Sequence, residues 1–130
     1  MKIFAENIPI YVQLKTEMED VILNGHLKAE DAIPSIRHLA AEYEINPLTV
    51  SRAVNELEAE GIIYKKRGIG FFVSNQAFEI IRRTRMDQYL ASEVRVFVQK
   101  AIQLGMNPDE IQKLIKKTYQ EFENGKHHGD

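Results

Sequence analysis

The sequence predicts a mainly α fold: an N-terminal winged helix-turn-helix of three helices plus a β-hairpin wing, then a short C-terminal pair of helices. Three features point there. Two short amphipathic segments are separated only by the turn "EINP". A glycine-punctuated, β-rich run, "IIYKKRGIGFFV", follows them. Beyond residue 76, apolar residues recur at three- and four-residue steps with no further strand signal.

Taken in order, the first helix is expected over 9–24. Val12, Leu14, Met18, Val21 and Ile22 recur at helical spacing, and Gly25 stands where a left-handed residue closes a helix. "HLKAEDAI" has no strong period and reads as a connection with room for a short extended piece. Helix two opens at Pro34-Ser35, with Ser35 as N-cap, shows an apolar face of Ile36, Leu39, Ala40 and Tyr43, and stops near Glu44. Asn46 caps helix three, Pro47 suits its first position, Val50, Ala53, Val54 and Leu57 face inward, and Gly61 ends it. The hairpin turns at Arg67-Gly68-Ile69-Gly70, where glycines supply positive φ. A phosphate cradle is the competing use of that G-x-G, but no helix follows it, as a nucleotide-binding loop requires. Phe78, Ile81, Met86, Leu90, Val94, Phe97, Val98, Ala101 and Leu104 then mark a long helix ended by Gly105. Asn107 and Pro108 start another, striped by Ile111, Leu114, Ile115, Thr118 and Phe122. The units expected are a winged helix over 8–75, a helical region over 76–125 and a disordered tail over 126–130.

The bulk numbers limit the function classes. With 130 residues and 44% hydrophobic content the chain supports one core and a small appendage. Without cysteine, disulfides and thiolate metal sites are excluded, which fits a reducing cytoplasm. No apolar run approaches the roughly 18 residues of a membrane span, so a cytoplasmic chain with no membrane partner is expected. No catalytic constellation stands out: the Ser and His residues fall in the helix-turn-helix or the tail, so no enzyme is expected. His127 and His128, adjacent on that tail, have no defined ligand geometry, and neither a metal nor a cofactor is expected.

A net charge of -2 argues at first sight against nucleic acid, but placement matters more than totals. Between residues 34 and 73, Arg37, Arg52, Lys65, Lys66 and Arg67 balance Glu42, Glu44, Glu56, Glu58 and Glu60. The bases fall at the start of helix two, the outward face of helix three and the wing. The carboxylates gather toward the C-terminal ends of the two helices. A helix entering a major groove leads with its N-terminal half, where Thr49, Ser51 and Arg52 stand, and its dipole favours phosphate. Other readings compete: Arg52 can pair with Glu56 at i,i+4, Lys65 and Lys66 can guard an edge strand, Arg37 can be a solvated helix residue, and His38 divides between packing and phosphate contact.

Over 8–75, Pro-Ile-Tyr starts the segment, Pro-Ser-x-Arg opens helix two, Leu-Glu-x-Glu-Gly-x-Ile ends helix three, and Arg-Gly-x-Gly precedes Phe-Val. In these motifs the chain resembles the DNA-binding domain of GntR-type transcriptional regulators. The later stretch "VRVFVQKAIQLGMNPDEIQKLIKK" is similar to the YtrA-like subgroup, in which two short C-terminal helices dimerise and whose members commonly repress transport operons. The resemblance implies a homodimer on a double-stranded DNA operator. It makes Arg37, Arg67 and Thr49 DNA contacts and carries the backbone at Gly68 and Gly70 into the minor groove. This chain departs from the wider family at Pro47 and Ser51, where arginines are common, so base reading shifts toward Arg52. Leu48 replaces a frequent asparagine, Phe71 replaces a common threonine, and the usual glycine before Pro-Ser is replaced around Glu30.

On this reading Ser35, Arg37, His38, Lys65, Lys66 and Arg67 position the protein on phosphates, and Thr49, Ser51 and Arg52 read sequence. Leu90, Val94, Phe97, Val98, Ala101, Ile111, Leu114 and Ile115 are the expected dimerisation residues. The alternatives are a winged-helix adaptor with no DNA role and a repressor gated by a small-molecule effector at the dimer interface, since the apolar stripe can also line a pocket.

Overall fold

The structure, a computed structural model, describes residues 7–129, with side chains through 125. Among the described residues, six α-helices and one β-hairpin fall into two units that divide between Met86 and Asp87.

In the first unit, α1 (Ile10–Leu23) buries Leu14, Met18 and Ile22, three residues four apart on one stripe. Asn24 caps it and Gly25 follows at φ 81, as the sequence predicts. Helix α2 (Ile36–Tyr43) starts at Ser35, whose Oγ accepts the His38 N–H at 3.1 Å. It ends at Glu44 in the left-handed region, φ 55, where the sequence had announced a stop but not a strained residue. Helix α3 (Pro47–Ala59) buries the expected Val50, Ala53, Val54 and Leu57. It packs on α1 and α2.

Strands β1 (Ile63–Lys66) and β2 (Gly70–Val73) pair antiparallel with Ile63 opposite Val73 and Lys66 opposite Gly70. Ile69 N–H closes the turn on Lys66 C=O at 2.9 Å, with Gly68 at φ 76 in the position where a type II turn requires positive φ. The extended piece expected in "HLKAEDAI" lies on the other edge of β2. Glu30 N–H donates to Val73 C=O, Val73 N–H to Asp31 C=O and Ile33 N–H to Phe71 C=O, and Ala32 bridges Phe72. This leaves β1 as the exposed edge. Glu30, standing where the family commonly has glycine, takes φ 73 to make the turn.

Helix α4 (Ala77–Tyr89) places Ala77 and Ile81 in the same core as Leu14, Leu57, Ile62 and Ile63. That is why the first unit extends to Met86, beyond the boundary expected at 75. Phe78, expected on the apolar stripe, is half exposed at a cleft it lines with Ile22, Leu23 and Ala77. Arg85 ties α4 to α1, donating to Thr16 C=O at 3.1 Å and to Glu19 at 3.2 Å, and pairing with Asp20.

In the second unit the long helix read from the sequence is interrupted by a π-helical turn, Leu90–Val94, before α5 (Arg95–Gln103). Ser92 Oγ bonds to Gln88 C=O at 2.7 Å beside it. Gly105 ends α5 at φ 78, with Met106 N–H on Ala101 C=O at 2.9 Å. Helix α6 (Pro108–Gly129) opens on a reciprocal cap: Glu110 N–H donates to Asn107 Oδ1 at 2.9 Å and Asn107 N–H to Glu110 at 3.4 Å. The backbone of α6 continues to Gly129, into the segment 126–130 expected as a disordered tail. No proline or positive-φ glycine stops it at Gly125, so its ladder runs on. Asp130 lies outside the described residues.

Candidate nucleic-acid interface

Each element of the helix-turn-helix and wing leaves its expected polar groups at the surface. At the start of α2, Ser35, Arg37 and His38 are exposed. Ser35 Oγ is engaged as an acceptor but keeps its own O–H to donate. Arg37 has no carboxylate partner among the described residues. His38 does not pack; its Nε2 stands 3.6 Å from Glu42, an exposed i,i+4 pair.

On α3 the first-turn donors are already capped within the chain, which leaves the helix dipole expected to favour phosphate in place. Pro47 has no N–H, Leu48 N–H donates to Asn46 Oδ1 at 2.8 Å, and Thr49 and Val50 N–H point to Asn46 C=O at 2.9 and 3.2 Å. With those donors spent, α3 presents side chains at its leading end. Thr49 and Ser51 are half-buried; Leu48 and Arg52 are exposed.

Arg52 does not pair with Glu56, the intrachain contact that competed for it in the sequence. Its guanidinium lies 3.9 Å from the Tyr11 ring centroid and donates to Tyr11 Oη at 3.2 Å. A cation on an aromatic face gains about 0.5–1 kcal/mol at exposed sites and loses rotamer freedom before any ligand arrives. Glu56, the rival partner, is 3.9 Å from Lys15, which also bonds Glu60. Burial lowers the Lys15 pKa, but Glu60, Glu19 and Glu56 outweigh it and the net shift is upward. Lys15 on α1 thus offsets part of the acidic charge of α3, at Glu56 and Glu60, while Arg52 is held apart by Tyr11. Sequence reading had not assigned Tyr11 to the site. The signal was present in the Pro-Ile-Tyr motif and in the position of Tyr11 three residues before buried Leu14, beside the α1 core stripe.

On the wing, Lys65, Lys66 and Arg67 are exposed. Lys66 Nζ lies 4.3 Å from the Phe72 ring centroid and 5.9 Å from that of Tyr64, and Lys65 Nζ lies 5.8 Å from that of Phe71. Phe71, unexplained in the sequence, therefore faces Lys65 across the ladder and packs against the core. Both lysines stand on the exposed edge strand, where charge also blocks sheet extension. Arg67 and the backbone of Gly68 form the tip, and Gly70, φ 145, opens β2. Tyr64 Oη bonds Glu30, whose carboxylate holds the phenol above its ordinary pKa of 10.0.

In the second unit, Leu90, Phe97, Val98, Leu114 and Ile115 are exposed, and Val94 and Ile111 are half-buried. Ala101 differs from the other expected dimerisation residues: only 4% exposed, it is covered within the chain itself. Helices α5 and α6 flank an apolar cleft of about 390 Å³ lined by Phe97, Leu114, Ile115, Thr118, Tyr119 and Phe122. The side chains of His127 and His128 lie outside the described residues. Among the described residues there is no acidic or histidine cluster suited to a metal, and no helix is long and apolar enough to cross a membrane.

A helix-turn-helix, a glycine-tipped wing and exposed bases on both define the class: a winged-helix transcription regulator. The profile described as "Bacterial regulatory proteins, gntR family" matches residues 10–73. The HTH-type transcriptional repressor YtrA of Bacillus subtilis (strain 168) is 33% identical over 118 residues, 91% of this chain and 90% of the relative. A GntR-family regulator from Bacteroides thetaiotaomicron superposes with TM-score 0.74 at 38% identity, over 86% of this chain and 97% of that one. The DNA-binding domain of AraR, solved in complex with operator ORX1, superposes with TM-score 0.53 at 26% identity, over 55% of this chain and 93% of that one. The chain belongs to the GntR family and is a transcription regulator, not an enzyme.

Proposed function

We propose that the protein is a homodimeric repressor that acts in the cytoplasm by binding an inverted-repeat operator in double-stranded DNA, with control of a transporter operon as its role. The observation that carries DNA reading is Arg52: exposed on α3, pre-oriented by Tyr11 and paired with no carboxylate among the described residues. A guanidinium so held suits bidentate contact with guanine O6 and N7. Thr49 and Ser51 are the further base-reading candidates. Ser35, Arg37, His38, Lys65, Lys66 and Arg67 contact phosphate, and the wing tip at Gly68 and Gly70 enters the minor groove.

Dimerisation is supported by the apolar cleft of the second unit and by the exposed Leu90, Phe97, Val98, Leu114 and Ile115, too much clustered apolar surface for solvent alone. YtrA, the B. subtilis relative, is itself a transcriptional repressor by name, which supports repression here. The test is selection from randomised duplexes at fixed salt, with wild type and Arg52→Ala in parallel. An inverted repeat enriched by wild type, with one position per half-site relaxed in the variant and about 1–3 kcal/mol lost, supports the reading. Enrichment that is identical for both proteins contradicts it.

A further inference from the structure

Resting on that reading of α3, we infer that Leu48 determines specificity by recognising the C5-methyl of a thymine in each operator half-site. Leu48 is the second residue of α3 and is 78% exposed, although it is a large aliphatic side chain. Its exposure has no use inside the fold: neighbouring Val50, Ala53, Val54 and Leu57 form the buried face, and Leu48 lies off it. Its N–H is already bonded to Asn46 Oδ1, so it offers DNA nothing but carbon. In the major groove the base edges present mainly hydrogen-bond donors and acceptors, and the thymine C5-methyl is the largest apolar group among them. A leucine at the leading end of a groove-reading helix therefore finds its most favourable partner there. It also disfavours the other bases, because it would desolvate their polar edges without replacing the lost hydrogen bonds.

The position relative to Arg52 narrows the site. Residues four apart on a helix stand one above the other, so Leu48 and Arg52 share a face. The thymine lies close to the base pair contacted by Arg52, and the two contacts degrade neighbouring operator positions.

The experiment replaces thymines of the selected operator one at a time by deoxyuridine, which keeps every hydrogen-bonding group and removes only the methyl. Affinity is measured for wild type, Leu48→Ala and Leu48→Met. Wild type is expected to lose about fourfold at one thymine per half-site, the factor that matches a buried methyl. Leu48→Ala is expected to bind the natural operator more weakly and to be indifferent to uridine at that position, and Leu48→Met to restore most of the methyl effect. If wild type discriminates sequence but no uridine substitution couples to residue 48, the inference is overturned and the proposed function stands. If wild type enriches no sequence at all, both fall together.

Discussion

The two units of this chain treat their apolar residues in opposite ways. In the first, Leu14, Val50, Leu57, Ile62, Ile63 and Ile81 are almost fully enclosed, and charged groups are paired in place, Lys15 with Glu56 and Arg85 with Glu19 and Asp20. In the second, Ala101 is the one buried apolar residue among the described residues, while Phe97 at 43% and Phe122 at 72% exposure border an open cleft. A unit that encloses its own core folds alone. One that leaves its aromatic residues in water is built to be covered. On the proposed function, the contrast separates two tasks, DNA reading on a self-sufficient scaffold and assembly on an unfinished one.

Substitution in the enclosed core tests that contrast most severely. Leu57→Ala is expected to destabilise by about 2–5 kcal/mol, read by denaturant unfolding, because it deletes a side chain with no exposed surface. Phe97→Ala, on the open unit, is expected to change the intrinsic stability of a dilute monomer by far less. Similar losses for both would erase the distinction between the units.

Next in size is the support of Arg52. Tyr11→Ala removes both ring face and hydroxyl and is expected to weaken operator binding about fivefold, in line with the roughly 1 kcal/mol of the stack. Tyr11→Phe, which keeps the ring, should retain most of the affinity, measured by titration at constant salt. Equal loss in both variants would assign the effect to the hydroxyl.

Much of the fold was legible because helix ends carry their own chemistry. Ser35, Asn46 and Asn107 cap as their side chains predict, and Gly25, Gly61 and Gly105 all have positive φ at helix ends. The inward face of α3 could be read from spacing alone. What stayed hidden depends on contacts distant in sequence or on competition within the backbone. Arg52 and Tyr11 are 41 residues apart, so no local pattern joins them. Glu30 and Glu44 take positive φ because the turns require it, although neither residue type announces it. The π turn at Leu90–Val94 changes no residue type that a periodicity count detects. Ala101 matched the apolar stripe as well as its neighbours did, and only the folded chain shows which of them it encloses.

The smallest effect expected is a shift in titration. Tyr64 has its pKa raised by the hydrogen bond to Glu30, then by burial and by the Glu30 charge. The stability this adds is full below the unfolded-state pKa near 10.0 and is lost as pH rises through the higher folded value. Glu30→Gln should lower the phenolate midpoint of one tyrosine in an ultraviolet titration. An unchanged curve would show that the contact has no weight in solution.

The most direct test of the division into reader and assembler is sedimentation velocity of the full chain at micromolar concentration, beside the double variant Phe97→Glu/Leu114→Glu. Wild type is expected to sediment as a species of about 30 kDa, twice the 15.0 kDa chain. The variant is expected to sediment as a monomer whose circular dichroism still shows a cooperative melt. A wild type that stays monomeric at these concentrations, or a variant that remains dimeric, would contradict the assignment of the open unit to assembly.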